Sequence, residues 1–469
     1  MTSLMTFCRS LRVSFVRRRT EATRAFIRRF SVPVMAGALF AVASSWSGTS
    51  AAAQDGNWWE GITSFGTPDY SGRRAEMERT PPRQDVLNDL RPTDVPWRSD
   101  EMLVAMEKAI AQYQDIVSRG GWPMIPGNRM LRVGEDDERV AALRRRLMAT
   151  GELPRSASYN DYSFDSGVEQ AVVRFQERNG LRATGRVDQP TLAALNITAE
   201  ERLAQLKLNH GRILELVQTP PEERYVLVNV PAFQLEAVER YQTVLRHRVI
   251  VGRNGRETPS LKAMIRNLNF FPYWRVPDSV AQLDVFPRLV KEPDYLTKEH
   301  IRVISGDFNG PELDPTSIDW SQADARRVKL KQDPGPQNAL GLVRIDMQNE
   351  HGVYMHDTPM KPLFQQRARA FSAGCVRVQD VFQLVEWLAR FEAGWEQPGR
   401  VQAVLDQGQA LDVALSRPVP VYFTYITAWA EPNGVIEFRP DIYRRDGAMA
   451  MADVYDPDAP PPPAQGLAP

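Results

Sequence analysis

The chain has few of the features that define specialised classes of protein. Its 469 residues include two cysteines, Cys8 and Cys375, which are too few for a framework of disulfide bonds. Its five histidines do not occur at metal-site spacings, and no glycine-rich phosphate loop stands out, so we expect neither a metal nor another cofactor. With 43% hydrophobic and 25% charged residues, the composition excludes a disordered chain and a polytopic membrane protein.

The chain also lacks the excess of positive charge that a nucleic-acid-binding protein normally carries. Its formal net charge is zero, but this zero is the sum of two unlike parts. Residues 1–53 contain eight arginines, no lysine and one acid, Glu21, which gives +7 and leaves −7 for the rest of the chain. A mildly acidic body argues against nucleic acid as a partner.

No apolar run is long enough to cross a membrane. The longest N-terminal run, Val32–Ala43, has about a dozen residues, whereas a membrane span needs about 20. It follows the arginine-rich segment and precedes Ala51–Ala53, which is the layout of a secretory signal peptide. We expect cleavage near Ala53, loss of Cys8, and a mature protein outside the cytoplasm that is not an integral membrane protein. An arginine-rich transit peptide or an uncleaved anchor is the alternative.

The next part of the chain is predicted to be helical. Residues 54–100 are polar, without a sustained period, and are interpreted as a linker or a lightly structured lead. Met102–Val117 has its apolar residues on one helical face, and residues 131–197 contain three short amphipathic helices. The predicted core of these three helices consists of Val140, Leu143, Leu147, Val168, Ala171, Val172, Phe175, Leu192 and Leu195.

The C-terminal half is predicted to be rich in β-strands. The predicted strands are Tyr225–Asn229, Arg248–Val251, Leu340–Met347, Gly352–His356 and Val419–Ala428, with a further strand pair possible within Glu236–Arg246. One helix is predicted over Asp380–Phe391. Residues 276–337 follow no pattern, and so long a loop is usually functional or has its own structure. Residues 446–469 end in a proline run that predicts a disordered tail.

Cys375 is the best candidate for a chemically active residue. It follows Ser372-Ala373-Gly374 and precedes Val376-Arg377, whereas a structural cysteine normally lies in an apolar run. A cation two residues later favours the thiolate. His356, 19 residues upstream, is the candidate base, because a thiol needs a base or a positive field to attack at neutral pH. His351 is interpreted as a turn histidine, since its odd spacing from His356 puts it on the other face of a strand.

The sequence motifs of the chain resemble those of two families of bacterial cell-wall proteins. The residues 131–197 resemble a small peptidoglycan-binding domain, through Val140-x2-Leu143-Arg144 and Ala171-Val172-x2-Phe175-Gln176 among others. His356 followed by Ser372-Ala373-Gly374-Cys375-Val376-Arg377 resembles the L,D-transpeptidase catalytic domain. Two positions depart from the usual pattern: Ala373, where many relatives have histidine, and Asp357, where many have glycine.

The resemblance implies a multidomain α+β architecture. It places a β-rich catalytic domain at residues 223–445, with a capping insertion at 276–337. A three-helix peptidoglycan-binding-like domain occupies 131–197, and 101–130 with 198–222 form a helical scaffold. The remaining divisions are a signal peptide at 1–53, a linker at 54–100 and a tail at 446–469. The implied location is the periplasm.

The resemblance also implies a reaction and roles for particular residues. Cys375 would attack a tetrapeptide stem of peptidoglycan, release D-alanine, and pass the acyl group to a second stem in a 3→3 cross-link. His356 would be the base and the Asp357 carbonyl its support, while N–H groups near Gly374 and Cys375 would stabilise the oxyanion. Arg377 would bind a stem carboxylate or support the thiolate, and Ser372 would orient Cys375 or His356. For Tyr354 and Trp274, a place in the substrate groove and simple core packing are both open.

Several alternatives remain at this stage. On the same fold, water as acceptor would give an L,D-carboxypeptidase, and a lysine of a lipoprotein would give attachment of that lipoprotein to the wall. A wall-binding protein without catalysis is the third reading, against which the intact Cys375, His356 and Arg377 argue. Carbapenems are expected to acylate Cys375, and other cell-wall synthesis enzymes are possible partners. The helical domain is either a wall-binding module or a spacer.

Overall fold

The computed structural model describes residues 89–156 and 161–447. The predicted signal peptide, most of the predicted linker and the predicted tail from residue 448 onward lie outside the described residues. Within the described ranges, no helix combines the length and the apolar character needed to cross a membrane.

Five helices precede the first strand. They are α1 (Asp100–Ser118), α2 (Arg139–Ala149), α3 (Ser166–Arg178), α4 (Gln189–Leu195) and α5 (Ala199–Val217). Local chemistry determines where they begin, because Ser99, Asp165, Asp188 and Thr198 each accept a hydrogen bond from a backbone N–H of the first turn. The nine apolar residues predicted as the core of α2, α3 and α4 are all buried, so this prediction is confirmed.

The region predicted as the catalytic domain is built on nine strands that are hydrogen-bonded in the order β10-β3-β11-β9-β8-β4-β12-β1-β2. A further pairing of β2 with β3 closes the sheet on itself. The strands are β1 (Arg224–Asn229), β2 (Gln234–Glu239), β3 (Gln242–Gly252), β4 (Leu261–Phe270), β8 (Val343–Met347), β9 (Met355–His356), β10 (Ala370–Ser372), β11 (Val376–Val378) and β12 (Leu411–Thr424). The predicted mixed α+β class with a β-rich domain is confirmed.

The sheet packs on both faces. One face packs against the helices α9 (Val381–Ala389) and α10 (Arg400–Gln407). The other packs on α1, α5 and the hairpin of β13 (Ala428–Ala430) and β14 (Ile436–Phe438). A strand buried on both faces reads as a nearly continuous apolar run, which is why β1 was recognisable from the sequence.

The segment over residues 276–337 has its own fold. A small sheet in the order β5-β7-β6 joins β5 (Trp274–Arg275), β6 (Ile301–Ser305) and β7 (Val328–Gln332). Its helical part consists of α6 (Asp278–Val280), a π-helix (Ala281–Val285), α7 (Phe286–Lys291), α8 (Tyr295–Lys298) and a 3-10 turn (Pro315–Ser317). We call residues 274–337 the cap, because Tyr354 and Ala373, which lie outside this segment, pack against its hydrophobic core.

The described end of the predicted linker is not a free spacer. Residues 89–99 have no regular secondary structure, but the Arg91 guanidinium forms ion pairs with the buried Glu236 and Glu431. Trp97 is fully buried against Trp429. This end of the predicted linker or lightly structured lead is therefore held in place by buried ion pairs and an aromatic contact, without any regular secondary structure.

Candidate active site

The two residues predicted to react lie on neighbouring strands. β9 and β11 pair in parallel, with Val376 opposite Met355 and Arg377 opposite His356. The Val376 N–H donates to the Tyr354 carbonyl at 3.0 Å. Cys375, which immediately precedes β11, therefore lies beside Tyr354. The 18 residues between His356 and Cys375 bring the chain back to the strand next to β9, a placement that sequence spacing alone does not predict.

The Cys375 thiol is buried, with 8% of the residue exposed. Burial raises the pKa of this thiol to about 11, although the backbone N–H and hydroxyl of Tyr354 and the charge of Arg377 act in the opposite direction. Arg377 therefore acts toward the thiolate, as expected, but the desolvation of the thiol outweighs its charge in this conformation. The thiol is neutral at pH 7.

His356 is oriented as a base. Its Nδ1 forms a close contact with the Asp357 carbonyl oxygen, which only accepts hydrogen bonds, so Nδ1 carries the proton. Nε2 is then unprotonated, and it has no hydrogen-bond partner among the described residues. Burial, followed by the charge of Arg377, lowers the pKa of this imidazole to about 3, and the carbonyls of Asp357 and Leu340 oppose the shift only in part. No hydrogen bond joins Cys375 to His356 in the described part of the chain.

The side chain of Asp357 replaces a smaller residue of the family pattern without disturbing His356. Its Oδ2 accepts the Leu342 N–H at 3.0 Å, and its Oδ1 contacts Lys361 Nζ. Space for the carboxylate exists because Gly341 lies beneath it at a φ of +62°, where a Cβ would come within 2.3 Å of Oδ2. Gly341 therefore accommodates Asp357 both sterically and conformationally.

The turn before Cys375 is held by Ser372. Its hydroxyl donates to the Cys375 carbonyl at 2.6 Å and accepts the Gly374 N–H at 3.1 Å. Ser372 thus orients the backbone of Cys375 and contacts neither reactive side chain. The prediction of Gly374 as an oxyanion donor needs correction, because its N–H is already bound. The Cys375 N–H, by contrast, has no partner in the described ranges.

Arg377 is a buried cation without a counter-ion. It is 1% exposed, its Nη1 lies 3.7 Å from Met360 Sδ, and its Nε has no partner among the described residues. Burial lowers the pKa of the guanidinium only to about 10, so it stays charged. No acidic side chain pairs with it within the described ranges, which argues against the structural salt bridge and for an anion supplied from outside the fold.

The two aromatic candidates have different surroundings. Tyr354 is half-buried between the catalytic core and the cap, with its ring 5.7 Å from that of His356. Burial raises the pKa of its hydroxyl well above 10, which keeps it a hydrogen-bond donor toward the thiol. Trp274 is fully buried in the cap core, so core packing is the reading that fits it.

The other polar residues of this region are of two kinds. His351 takes no part in the site, whereas Arg344 and Thr258 belong to it and were missed in the sequence analysis. His351 is exposed; its imidazole contacts only Glu350 among the described residues, and its backbone N–H donates to Asn349 Oδ1 at 3.1 Å, as expected for a turn histidine. Within the described residues, no cluster of histidine, cysteine and carboxylate side chains could hold a metal. Arg344, whose guanidinium lies 5.4 Å from the Tyr354 ring, and Thr258, which donates to the Gly374 carbonyl at 2.8 Å, belong to the site. The contact of Thr258 with Gly374 joins residues 116 positions apart, so sequence spacing does not indicate it.

Two parts of the chain match known protein families. Residues 223–419 match the YkuD family, described as "L,D-transpeptidase catalytic domain". Residues 136–195 match the family "Putative peptidoglycan binding domain". A Haemophilus influenzae protein named "Putative L,D-transpeptidase" is 32% identical over 265 residues, which are 56% of this chain and 52% of that protein. The chain thus spans about half the length of this curated relative.

Solved structures of the same name are more distant. An L,D-transpeptidase (Yku) from Stackebrandtia nassauensis has 14% identity and a TM-score of 0.23, over 64% of this chain and 96% of that one. An L,D-transpeptidase from Mycobacterium smegmatis has 11% identity and a TM-score of 0.21, over 43% of this chain and 58% of that one.

Proposed function

From the premise that the chain carries an L,D-transpeptidase catalytic domain and a peptidoglycan-binding domain, we propose that it forms 3→3 cross-links between peptidoglycan stems. One observation carries the proposal. The His356 imidazole has Nδ1 fixed on the Asp357 carbonyl and Nε2 unpartnered, and its strand lies next to the one that Cys375 enters. A neutral imidazole with a free lone pair is what a general base requires.

In the proposed first step, the Cys375 sulfur bonds to the carbonyl carbon of the third stem residue. Its proton passes to His356 Nε2, and the negative charge on the substrate oxygen is stabilised by the Cys375 N–H. The bond to the terminal D-alanine then breaks, and His356 returns the proton to the leaving amine. In the second step, a side-chain amine of another stem attacks the thioester, and His356 takes and returns a proton again.

Two features suit an anionic peptide. The uncompensated Arg377 guanidinium provides a buried positive charge for a stem carboxylate, since burying an unpaired charge is costly unless a ligand pairs with it. The module over residues 136–195 would hold the enzyme on its polymeric substrate. We further propose export to the periplasm and acylation of Cys375 by carbapenems.

Product analysis by mass tests the proposal. Mature protein incubated with disaccharide tetrapeptides should give cross-linked dimers and free D-alanine, and Cys375→Ala should give neither. His351→Ala is a matched control, because this histidine is exposed and forms no contact with the site. Full cross-linking by Cys375→Ala would refute the proposal. Trimmed tripeptides without dimers would favour the carboxypeptidase, and an unreactive thiol in a protein that still binds wall would favour the non-catalytic reading.

A further inference from the structure

Thr258 is a fully buried hydroxyl whose hydrogen-bonding capacity is directed at the catalytic turn. Its Oγ1 accepts the Gly252 N–H at 2.8 Å and donates to the Gly374 carbonyl at 2.8 Å. The directions are fixed, because an N–H only donates and a carbonyl only accepts. Thr258 therefore holds the oxygen of the peptide that joins Gly374 to Cys375.

Fixing this oxygen also fixes the Cys375 N–H. A trans peptide is planar, and its C=O and N–H point in opposite directions. Gly374 has a φ of +122°, a backbone conformation that side chains rarely adopt, and the hydrogen bond from Thr258 restrains the peptide that follows it. With its carbonyl bound to Thr258, the peptide presents the Cys375 N–H on the side away from Thr258, where no group of the described residues accepts it.

The support for Thr258 is itself rigid. A Cβ on Gly252 would lie 2.1 Å from the Arg256 carbonyl oxygen, so the loop at residues 252–258 is folded as tightly as a backbone allows. The Thr258 N–H donates to the Tyr443 hydroxyl at 3.2 Å, and that hydroxyl donates to the Gly252 carbonyl. The Thr258 side chain therefore has one position from which to act.

We infer that Thr258 is a positioning residue that orients the Cys375 N–H as the oxyanion donor of the proposed acyl transfer. The inference rests on the proposed function for its physiological substrate, but not for its chemistry. Any carbonyl electrophile that Cys375 attacks develops an oxyanion and needs this donor. An alkylating agent reacts with the same sulfur by displacement and develops none.

This difference separates positioning from general damage. The rate constant for acetylation of Cys375 by p-nitrophenyl acetate is compared with that for alkylation by iodoacetamide, in wild type, Thr258→Val and Thr258→Ser. Loss of a whole oxyanion donor typically costs about 100–1000-fold, and misorientation should cost less, so we expect about a 10- to 100-fold slower acetylation in Thr258→Val. Alkylation should stay within about twofold, and Thr258→Ser should recover acetylation to within about threefold.

Tyr443→Phe is the matched control. It removes two hydrogen bonds from the same loop but leaves the Thr258 contact with Gly374 in place. We expect its acetylation to slow clearly less than that of Thr258→Val, because the Gly252 N–H still holds Thr258 Oγ1. Equal slowing of acetylation and alkylation in Thr258→Val, or equal slowing of acetylation in Tyr443→Phe, would overturn the inference, since either would reflect a loosened loop.

The proposed function is tested separately on the same preparations. If wild type is acetylated but releases no D-alanine from tetrapeptides, the proposed function fails while the rate comparison still decides the role of Thr258. If wild type releases D-alanine, Thr258→Val should show a lower kcat with KM within about twofold, and Thr258→Ser should recover the kcat. An unchanged kcat in Thr258→Val would overturn the inference and leave the proposed function standing.

Discussion

The pH dependence of acyl transfer tests the electrostatics of the site. In the described conformation, burial lowers the pKa of His356 to about 3 and raises that of Cys375 to about 11. Both groups are neutral from about pH 4 to about pH 10, so proton transfer accompanies the attack and no thiolate forms beforehand. The base remains competent as the solution becomes acidic, because a lowered pKa keeps the imidazole unprotonated.

The magnitude follows from the two possible pKa values. A histidine with an ordinary pKa of about 6.5 is about 3% unprotonated at pH 5, which would slow acylation about 30-fold relative to pH 8. With a pKa of about 3, it is about 99% unprotonated at pH 5. We therefore expect the first-order rate of acylation to change by less than about twofold between pH 5 and pH 8.

The assay must isolate the first half-reaction, since the acceptor amine of a second stem titrates on its own. Release of D-alanine is measured in single turnovers, with enzyme in excess over tetrapeptide. His356→Ala is the comparison, because it leaves only the thiolate to react, and its rate should rise about tenfold per pH unit below the pKa of the thiol.

Two shapes of the profile would refute this reasoning. A fall on the acid side with a midpoint near 6.5 would mean that the reacting His356 is hydrated, as in a conformation with the cap displaced. A wild-type rate that rises tenfold per pH unit would mean that a preformed thiolate attacks, and that His356 does not act as base.

Two further predictions concern the cap and the helical domain. Asp284 of the cap forms ion pairs with Arg253 and Arg256 of the catalytic domain, so Asp284→Asn should weaken cap closure by about 1 kcal/mol and raise the alkylation rate of Cys375 about fivefold. Glu152→Gln leaves the buried Arg178 without its carboxylate, so the free energy of unfolding, measured in denaturant, should fall by about 3–5 kcal/mol.

Matched substitutions control both predictions. Asp294→Asn removes an exposed ion pair with Lys298 inside the cap and should leave alkylation unchanged. Glu138→Gln changes an exposed carboxylate near the start of α2 and should shift unfolding by less than about 0.5 kcal/mol. Equal effects of Asp284→Asn and Asp294→Asn would contradict the closure argument, and an unfolding loss below about 1 kcal/mol in Glu152→Gln would show that Arg178 finds another partner or water.

The elements that the sequence predicted correctly are those whose burial is periodic. The helices α2, α3 and α4 bury one apolar face each, and their core residues were identified one by one. Where local geometry interferes, the boundaries shifted. The helix predicted from Asp380 begins at Val381, because Asp380 adopts a φ of +49°. β12 begins at Leu411, eight residues before the predicted start at Val419, because it continues across a bulge through Pro418, a residue that normally ends a strand prediction.

The missed elements lack a periodic signal. β4 mixes buried and exposed positions across a register shift, so its alternation is imperfect, and it was not predicted. The cap was predicted only as a patternless insertion, because its strands have five residues or fewer and its helices six or fewer. Short elements depend on tertiary packing rather than on local sequence, here on the core that includes Trp274 and Tyr295.

The features of the site can also be divided into those that the sequence predicts and those that it does not. The identities of Cys375, His356 and Arg377 follow from residue type and motif, but their electrostatics do not. The sequence places a cation two residues from the thiol and predicts a thiolate, whereas the fold buries both groups and the cost of desolvation is larger. Thr258 was invisible for a similar reason, because its contact with Gly374 joins residues 116 positions apart.

A neutral, buried thiol is compatible with the proposed catalysis if the substrate brings the negative charge that Arg377 lacks as a partner among the described residues. A stem carboxylate that pairs with Arg377 would cancel the guanidinium charge that now lowers the pKa of His356, and so make the imidazole a stronger base at the moment of attack. Before that moment, the same burial protects the thiol, since oxidants react with the thiolate and with exposed sulfur. Cys375 is the only cysteine of the chain after the proposed export. The burial that keeps its thiol neutral therefore also keeps this nucleophile reduced and available for the substrate.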